Sequence, residues 1–373
     1  MSPFYKNTHT RFAHVCSEMY RCLQFGRGLL VPAVLVHCDD SKRTYVGTHQ
    51  YVANRRIEDR VGYTSAQKVF FLTVLDGHGG FQLAEYLNRR LPQIFFEKYP
   101  NLGLKGSMRE AFTFADSEWF DLVKPMYDIG FTGPIKVGAC CVAVAVDGHS
   151  IVVGSVGDCK CVLARRQNGP INLNPERNAN LESEQARLRS LFPNDLDIVR
   201  CKRSWQESVQ VPAAWWKGGT RTSTVTRHSG CYVKGRLQPT KSFGDFHLKS
   251  VIIDPERNRP FLESANSLPY IDSIPDISVT PRCFEDDLFL IVATDGLWDQ
   301  FTSEEAVEIV SAHLKAGFSP EQAAAELVEA ALMHAANQHQ IPIQEMKLLP
   351  PGSARRNLHD DISVCIVDLQ NLA

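Results

Sequence analysis

The sequence predicts an α+β fold in one large domain, and three observations support this prediction. Short apolar segments end at Asp-Gly or Gly-Asp turns, as antiparallel strands joined by tight turns do. Helical segments carry capping residues but do not alternate regularly with the strands, which argues against a doubly wound sheet. The 373 residues contain no low-complexity tract, internal repeat or Gly/Ser-rich linker. One large domain is therefore the economical interpretation of the chain.

The predicted strands are apolar segments bounded by turn residues. They are, in order, residues 69–75, 139–146, 151–156, 161–164, 288–293 and 363–369. The second and third are separated by Asp147-Gly148, which is a strong hairpin signal. Consecutive strands joined this tightly indicate antiparallel sheets.

The predicted helices have apolar residues at helical spacing, and three of them have capping boxes. Ser107, Thr302 and Ser319 are each followed three residues later by Glu or Gln, so each is expected to begin a helix. Pro320 at the first helical position strengthens the last of these. A weaker amphipathic helix is predicted over residues 181–192. A further helix is indicated by an apolar stripe: Leu83, Leu87, Leu91 and Phe95.

Residues 197–236 lack a clear period and are predicted to form a long surface insertion. Trp215 and Trp216 lie within this segment. The sequence leaves two roles open for them, which are docking a substrate protein or packing the insertion onto the domain.

Composition limits the partners and the location of the protein. The formal net charge of −2 gives no reason to expect nucleic acid, and no segment approaches the ~20 apolar residues of a membrane span. The 11 cysteines are scattered, and those inside strand segments favour reduced, buried thiols over a disulfide framework. We expect a monomer in the cytoplasm or nucleus. Because the first 38 residues are poor in acid, a mitochondrial transit segment is the alternative to a variable extension.

The most informative pattern is the position of acidic residues at the ends of strands. Asp76 and Asp295 each follow a predicted strand and precede a glycine, and Asp158 follows another strand. Asp360 lies just before the last strand and Glu58 before the first. One such acid is more often a turn residue, but several at one edge of a sheet repel each other unless cations neutralise them. Oxygen ligands suit Mg²⁺ or Mn²⁺ rather than zinc.

These acids lie within an ordered set of motifs. The motifs are RRIEDR (55–60), VLDGHGG (74–80), SVGD (155–158), KSFGDF (241–246), ATDGLWD (293–299) and HDDISV (359–364). The set resembles the metal-dependent protein phosphatase family, type 2C, over residues 45–369. The resemblance implies a phosphatase domain over residues 45–373, preceded by an N-terminal extension over residues 1–44. Some segments are most similar to the branch that includes pyruvate dehydrogenase phosphatase. The resemblance implies a four-layer α/β/β/α sandwich of two antiparallel sheets flanked by helices, with a dinuclear metal cleft at one end. It places residues 197–236 in an enlarged flap beside the active site.

By this resemblance the chain is a serine/threonine protein phosphatase that acts on phosphoproteins and depends on two Mg²⁺ or Mn²⁺ ions per subunit. Asp76 is expected to bridge the two ions. Glu58 and the Gly77 carbonyl would complete the protein ligands of one ion, and Asp295 and Asp360 would complete those of the other. A hydroxide that bridges the ions is expected to attack phosphorus directly.

The resemblance assigns three further side chains. His78 matches the family's general acid, which would protonate the leaving alkoxide. Asp158 and Asp299 match acids that hold a third, weaker metal ion.

A phosphate-binding arginine is expected four residues before Glu58. That position is Asn54 in this chain, and Arg55 and Arg56 follow it. A planar guanidinium suits bidentate phosphate binding, so both arginines are candidates and Arg55 is preferred.

Three other functions were weighed against this one. A pseudophosphatase, the same fold serving as a binding module, would usually lack a metal-ligating acid, and this sequence retains all of them. A phosphatase of small molecules stays open, because the metal cluster recognises the phosphate and not its carrier. A calcium-binding structural protein would leave His78 and the arginines without a role.

Overall fold

The structure is a computed structural model that describes residues 45–167, 169–202, 230–250 and 268–372, and the backbone of residues 205–212 and 220–227. The N-terminal extension 1–44 and the Trp215-Trp216 pair lie outside the described residues. The strands, in chain order, are β1 Val46–Tyr51, β2 Arg60–Ala66, β3 Val69–His78, β4 Gly138–Val146, β5 Ser150–Val156, β6 Lys160–Arg165, β7 Ile171–Asn172, β8 Val199–Lys202, β9 Trp205–Pro212, β10 Thr220–Arg227, β11 Gly230–Val233, β12 Phe243–Gly244, β13 Asp276–Pro281, β14 Asp287–Ala293 and β15 Ile362–Asp368.

The helices of the described residues follow the same order. They are α1 Gln82–Asp128, α2 Glu182–Leu191, α3 Asp295–Trp298, α4 Ser303–Lys315, α5 Pro320–Gln338, α6 Ile343–Leu348 and α7 Ser353–Arg356. Short 3₁₀ turns occur at Pro134–Lys136 and Phe246–Leu248. Within the described part of the chain, no helix has both the length and the apolar character that crossing a bilayer requires.

Two antiparallel sheets form the centre of the domain. One has six strands, in the order β13-β5-β4-β3-β2 with β12 paired to β4. The other has the order β1-β15-β14-β6-β7. All six predicted strands are confirmed, and the antiparallel pairing follows from their tight connections.

Three apolar cores separate four layers. Alternate residues of β3 divide between two of these cores: Phe71 and Leu75 pack against α1, whereas Leu72 and Val74 face the second sheet. This division follows from the two-residue period of a strand. The third core lies between the second sheet and helices α4 and α5. The order of layers is therefore α1, six-stranded sheet, five-stranded sheet, and α4 with α5, as the predicted sandwich requires.

Helix α1 differs from its prediction. The Leu83 stripe is buried as expected, but Ser107 does not begin a helix. The helix is interrupted earlier, at Gly103, which has φ 63° and ψ −175°. Glycine adopts this conformation without a side-chain clash, and the buried Ser107 then continues the second half of the helix. The capping boxes predicted at Thr302 and Ser319 are confirmed.

The segment 197–236 is more regular than the sequence indicates. Strand β8 pairs with β11, and β9 pairs with β10, so most of the segment is β-structure. A small apolar core that includes Ile198, Val233 and Tyr270 lies beneath it. The buried Lys234 pairs with Asp195 at 2.9 Å, which fixes the base of the segment.

The cysteines of the described residues fall into three groups, one of which is the exposed free thiol of Cys283 alone. Those in the central sheets are buried free thiols, as predicted: Cys140, Cys141, Cys159, Cys161 and Cys365. The expectation of reduced thiols does not extend to Cys201 and Cys231, which form a disulfide between β8 and β11. These two residues are direct cross-strand partners, a register that their separation of 30 residues did not reveal.

Candidate metal centre

The strand ends bring the predicted acids to one edge of the two sheets. Asp76 lies near the end of β3, and Asp158 follows β5, which belongs to the same sheet and is separated from β3 by β4. Asp295 begins α3 directly after β14, and Asp360 precedes β15, the strand beside β14. Glu58 lies just before β2, which pairs with β3. The position of each acid therefore follows from the pairing of the strand next to it.

Asp76, Asp158 and Asp295 form a compact acidic group. One carboxylate oxygen from each lies within 4.8 Å of the others. Asp158 Oδ1 and Asp295 Oδ1 are buried, and no hydrogen-bond donor reaches either of them among the described residues. Buried carboxylate oxygens without donors are costly unless a cation satisfies them. The donor set is oxygen alone, so the group fits a hard divalent cation.

The pKa values of these acids in the protein without metal also indicate that a cation would stabilise the group. Burial, followed by the charges of Asp295 and other neighbouring acids, raises the pKa of Asp76 well above its usual range. Burial and the charge of Asp158 do the same for Asp295. A metal ion would therefore compete with protons for these two acids.

Three further predicted acids surround the compact group. Burial and the charge of Asp361 raise the pKa of Glu58. Burial also raises the pKa of Asp360, although the charge of Arg356 opposes the shift. For Asp299, burial and the charge of Asp158 raise the pKa to about 6. Glu58, Asp360 and Asp299 therefore lie close enough to other acids to interact with them through charge, but they lie outside the compact group.

Two glycines allow the acid-bearing segments to approach each other. A Cβ atom on Gly77 would lie 2.6 Å from the Glu58 carbonyl oxygen. A Cβ atom on Gly296 would lie 2.1 Å from the Asp361 carbonyl oxygen. The glycine that follows Asp76, and the one that follows Asp295, are thus required by close backbone contact.

Sequence reasoning missed two carboxylates that hold the ligand segments in place. Asp361 Oδ1 accepts hydrogen bonds from the Ala53 and Asn54 backbone N–H groups at 2.6 and 3.0 Å. Its Oδ2 accepts from the Glu58 N–H at 2.9 Å, so one buried carboxylate fixes the loop that carries Glu58. Asp59 accepts a bond from the Thr294 hydroxyl at 2.9 Å, next to Asp295. The Glu-Asp and Asp-Asp doublets were the only sequence signals for this role.

A third missed carboxylate positions His78. The His78 Nε2 and Asp245 Oδ2 atoms are 2.6 Å apart, and the Asp245 side chain is 2% exposed. The Ser242 hydroxyl donates to the same oxygen at 2.7 Å. Any Cβ on Gly138 would lie 2.1 Å from both His78 Nε2 and Asp245 Oδ2, so a glycine is required beside the pair. Burial lowers the pKa of His78, but the charge and hydrogen bond of Asp245 outweigh it, and the net pKa is raised.

Comparison with known proteins identifies the family. A sequence model described as protein phosphatase 2C matches residues 35–194 and 221–339. The chain belongs to the protein phosphatase 2C family. It is 30% identical to probable protein phosphatase 2C 38 of Arabidopsis thaliana over 321 residues, which cover 83% of this chain and 74% of that protein. It is also 30% identical to probable protein phosphatase 2C 67 of the same plant over 336 residues, covering 85% and 81% of the two chains.

A solved structure supports the fold of this phosphatase 2C chain. The structure of a C. elegans sex determining protein superposes with a TM-score of 0.54 at 19% identity. The match covers 88% of this chain and 65% of that one. The family and the fold predicted from the motifs are thus confirmed, and the chain is a protein phosphatase of type 2C.

The structure gives the surroundings of the arginines near Glu58 in this phosphatase 2C domain. Asn54 donates a side-chain hydrogen bond to Asp361 at 3.0 Å. Arg55 and Arg56 are both exposed, and the Arg56 guanidinium lies over the Phe81 ring at 5.6 Å. Their assignment to phosphate stays a prediction. Arg356 contacts a predicted metal ligand, because its guanidinium pairs with Asp360.

Proposed function

We propose that this protein phosphatase 2C hydrolyses phosphoserine and phosphothreonine in proteins and depends on two Mg²⁺ or Mn²⁺ ions. The observation that carries the proposal is the compact group of Asp76, Asp158 and Asp295. Within it, the buried Asp158 Oδ1 and Asp295 Oδ1 atoms have no hydrogen-bond donor among the described residues. When bound, divalent ions would lower the pKa of a water molecule and offset negative charge on the phosphoryl oxygens.

The proposed ligands divide the acids into two sets around Asp76. Asp76 would serve both ions, with Glu58 and the Gly77 carbonyl on one side and Asp295 and Asp360 on the other. The close backbone contact between Gly77 and Glu58 supports the first set, because it holds the two residues side by side.

Asp158 and Asp299 are proposed as ligands of a third ion. A carboxylate oxygen of Asp158 lies within 4.8 Å of one of Asp295, and this separation supports an ion bound by both. The more exposed Asp299 interacts with Asp158 through its charge.

His78 is proposed to protonate the leaving oxygen of the substrate. The alkoxide of serine or threonine is a much stronger base than the phenolate of tyrosine, so it needs this proton more. Asp245 fixes the orientation of the imidazole through Nε2 and favours its protonated form. A histidine held in this way supports action on phosphoserine and phosphothreonine.

The experiment compares phosphate release from phosphothreonine, phosphoserine and phosphotyrosine peptides and from small phosphomonoesters. Each substrate is assayed with Mn²⁺, with Mg²⁺ and with EDTA. We expect turnover that requires metal and favours the first two peptides. Failure of the wild-type protein to turn over any phosphopeptide with metal would refute the proposal, and turnover of small esters alone would replace it with a small-molecule phosphatase.

Asp76→Asn and Asp295→Asn test the ligand assignment. Each should abolish metal-dependent turnover, and each should remove the rise in melting temperature that Mn²⁺ gives the wild-type protein. Asp128→Asn is a matched control, because Asp128 is exposed near the end of α1 and its ion pair among the described residues is with Lys124. Retention of Mn²⁺ stabilisation in both cluster variants would contradict the assignment.

A further inference from the structure

We propose that Arg356 binds the phosphoryl oxygens of the substrate from the edge of the acidic cluster, next to Asp360. This inference rests on the proposed function and deepens it, because it names the cationic group of the same site. The sequence predicted Arg55 or Arg56 for this role, which lie just before Glu58, whereas Arg356 lies near the C-terminal end of the domain.

The residue before Arg356 anchors this segment rigidly. Arg355 is buried, and its guanidinium donates to the Val52 carbonyl at 2.9 Å and to the Leu349 carbonyl at 2.8 Å. It also lies over the Tyr51 ring at 5.2 Å. In addition, the Gly352 N–H donates to the Ala53 carbonyl at 2.8 Å, so α7 is attached to the loop that carries Glu58. The backbone at Arg356 is therefore fixed relative to two acid-bearing segments.

Arg356 itself is free to serve a ligand. Its Nη2 contacts Asp360 Oδ2, and its side chain is 46% exposed. Asp360 lies four residues later, so the chain's own turn places the guanidinium beside this acid. A guanidinium has five N–H donors in a planar fork, and the contact with Asp360 uses only part of them. The exposed edge can donate to phosphoryl oxygens at the same site.

The other candidate groups near Glu58 are less suited to this role. Asn54 has no charge, and its amide is bound to Asp361. Arg60 pairs with Glu85 at 2.6 Å and shares the Phe81 ring with Arg56. Among the described residues, Arg356 is in direct contact with Asp360, an acid of the site.

The test uses the full-length protein saturated with Mn²⁺ and compares the wild type with Arg356→Ala, Arg356→Gln and Arg356→Lys. Calorimetry measures the binding of inorganic phosphate, and steady-state kinetics on a phosphothreonine peptide gives KM and kcat. We expect Arg356→Ala and Arg356→Gln to weaken phosphate binding and raise KM by roughly 10- to 100-fold, with a smaller effect on kcat, because a charged hydrogen bond is lost. Arg356→Lys should give an intermediate value, because it keeps the charge and loses the fork.

Arg109→Ala is the matched control, since Arg109 is exposed on α1 and its removal changes the charge equally. Melting temperatures of all variants show that they are folded. The inference is overturned if Arg356→Ala binds phosphate within twofold of the wild type, or changes only the affinity for Mn²⁺, or if Arg55→Ala or Arg56→Ala gives the larger loss.

The experiments distinguish failure of the proposed function from failure of the proposed role of Arg356. Absence of metal-dependent turnover in the wild-type protein would refute the proposed function. Calorimetry of inorganic phosphate would still decide the role of Arg356, because it requires binding and no reaction.

Discussion

Replacement of Asp245 by asparagine should separate the acid step from the rest of the reaction. Asp245 has φ 50°, a left-handed conformation that asparagine tolerates better than most residues. The substitution therefore keeps the backbone and the hydrogen-bonding shape but removes the negative charge beside His78. The lost interaction is a buried, charge-assisted bond of 2.6 Å, for which about 1.5–3 kcal/mol is typical. This corresponds to a roughly 10- to 150-fold loss in rate for a step that needs the protonated imidazole.

The assay compares two leaving groups on the same variant. A phosphoserine peptide releases an alkoxide, which needs a proton, whereas p-nitrophenyl phosphate releases a stable phenolate. We expect the loss in kcat on the peptide and a change of less than about threefold on p-nitrophenyl phosphate.

The pH profile gives a second readout with a defined sign. A general acid works below its pKa, so activity on the peptide falls as the pH rises through the pKa of His78. Asp245 raises this pKa in the wild type against the effect of burial. The alkaline limb should therefore move to lower pH in Asp245→Asn.

Asp116→Asn is the control for simple disturbance of the segment. Asp116 accepts a bond from the Gly244 N–H at 2.7 Å and pairs with Lys249 at 2.8 Å, but it does not contact His78. The Asp116→Asn variant should be less stable than the wild type but should keep the same ratio of the rates on the peptide and on p-nitrophenyl phosphate. Equal losses on both substrates in Asp245→Asn, or an unmoved alkaline limb, would refute the role given to Asp245.

Three other predictions follow from the same site. Gly296→Ala should lower the free energy of unfolding by about 1–3 kcal/mol and abolish activity, because its Cβ would overlap the Asp361 carbonyl; chemical denaturation measures the first effect, and a wild-type midpoint would contradict it. Asp361→Asn should weaken Mn²⁺ binding by roughly 10- to 100-fold, because it loosens the loop of Glu58; calorimetry with Mn²⁺ tests this, and unchanged affinity would count against it. In the protein without metal, the raised pKa values of Asp76 and Asp295 mean that the folded state holds more protons than the unfolded one, so stability falls as the pH rises through those values. The gain in melting temperature on adding Mn²⁺ should therefore grow as the pH rises above the ordinary pKa range of an aspartate, and a gain independent of pH would argue against the cluster as the metal site.

The sequence was sufficient for the strands and for the acids at their ends. The apolar segments are short, rich in β-branched residues and bounded by turn residues, which favours buried strands over helices, and Asp76 and Asp295 are marked by the glycine that follows each. The capping boxes at Thr302 and Ser319 were also recognisable, because capping is a local interaction. Ser107 shows the limit of that reasoning, since the conformation of Gly103 and the burial of α1 decided the outcome there.

The supporting residues of the site could not be found in the same way. Asp361, Asp59 and Asp245 act through contacts with residues between 167 and 308 positions away. Nothing in the local sequence tells a carboxylate that binds metal from one that holds a loop. Arg356 was missed for the same reason, because its significance depends on the anchoring of α7. The monomeric state and the cellular location stay predictions.

The place of β15 between β1 and β14 has a consequence for the synthesis of the protein. Strand β1 is among the first segments of the domain to leave the ribosome, but its partner in the sheet is almost the last. Until residues 360–368 have emerged, β1 and β14 have an unfilled gap between them, and Asp360 and Asp361 are missing from the site. Until this last strand of the domain has emerged, a nascent chain can therefore neither complete its second sheet nor bring together all the acids of the predicted site.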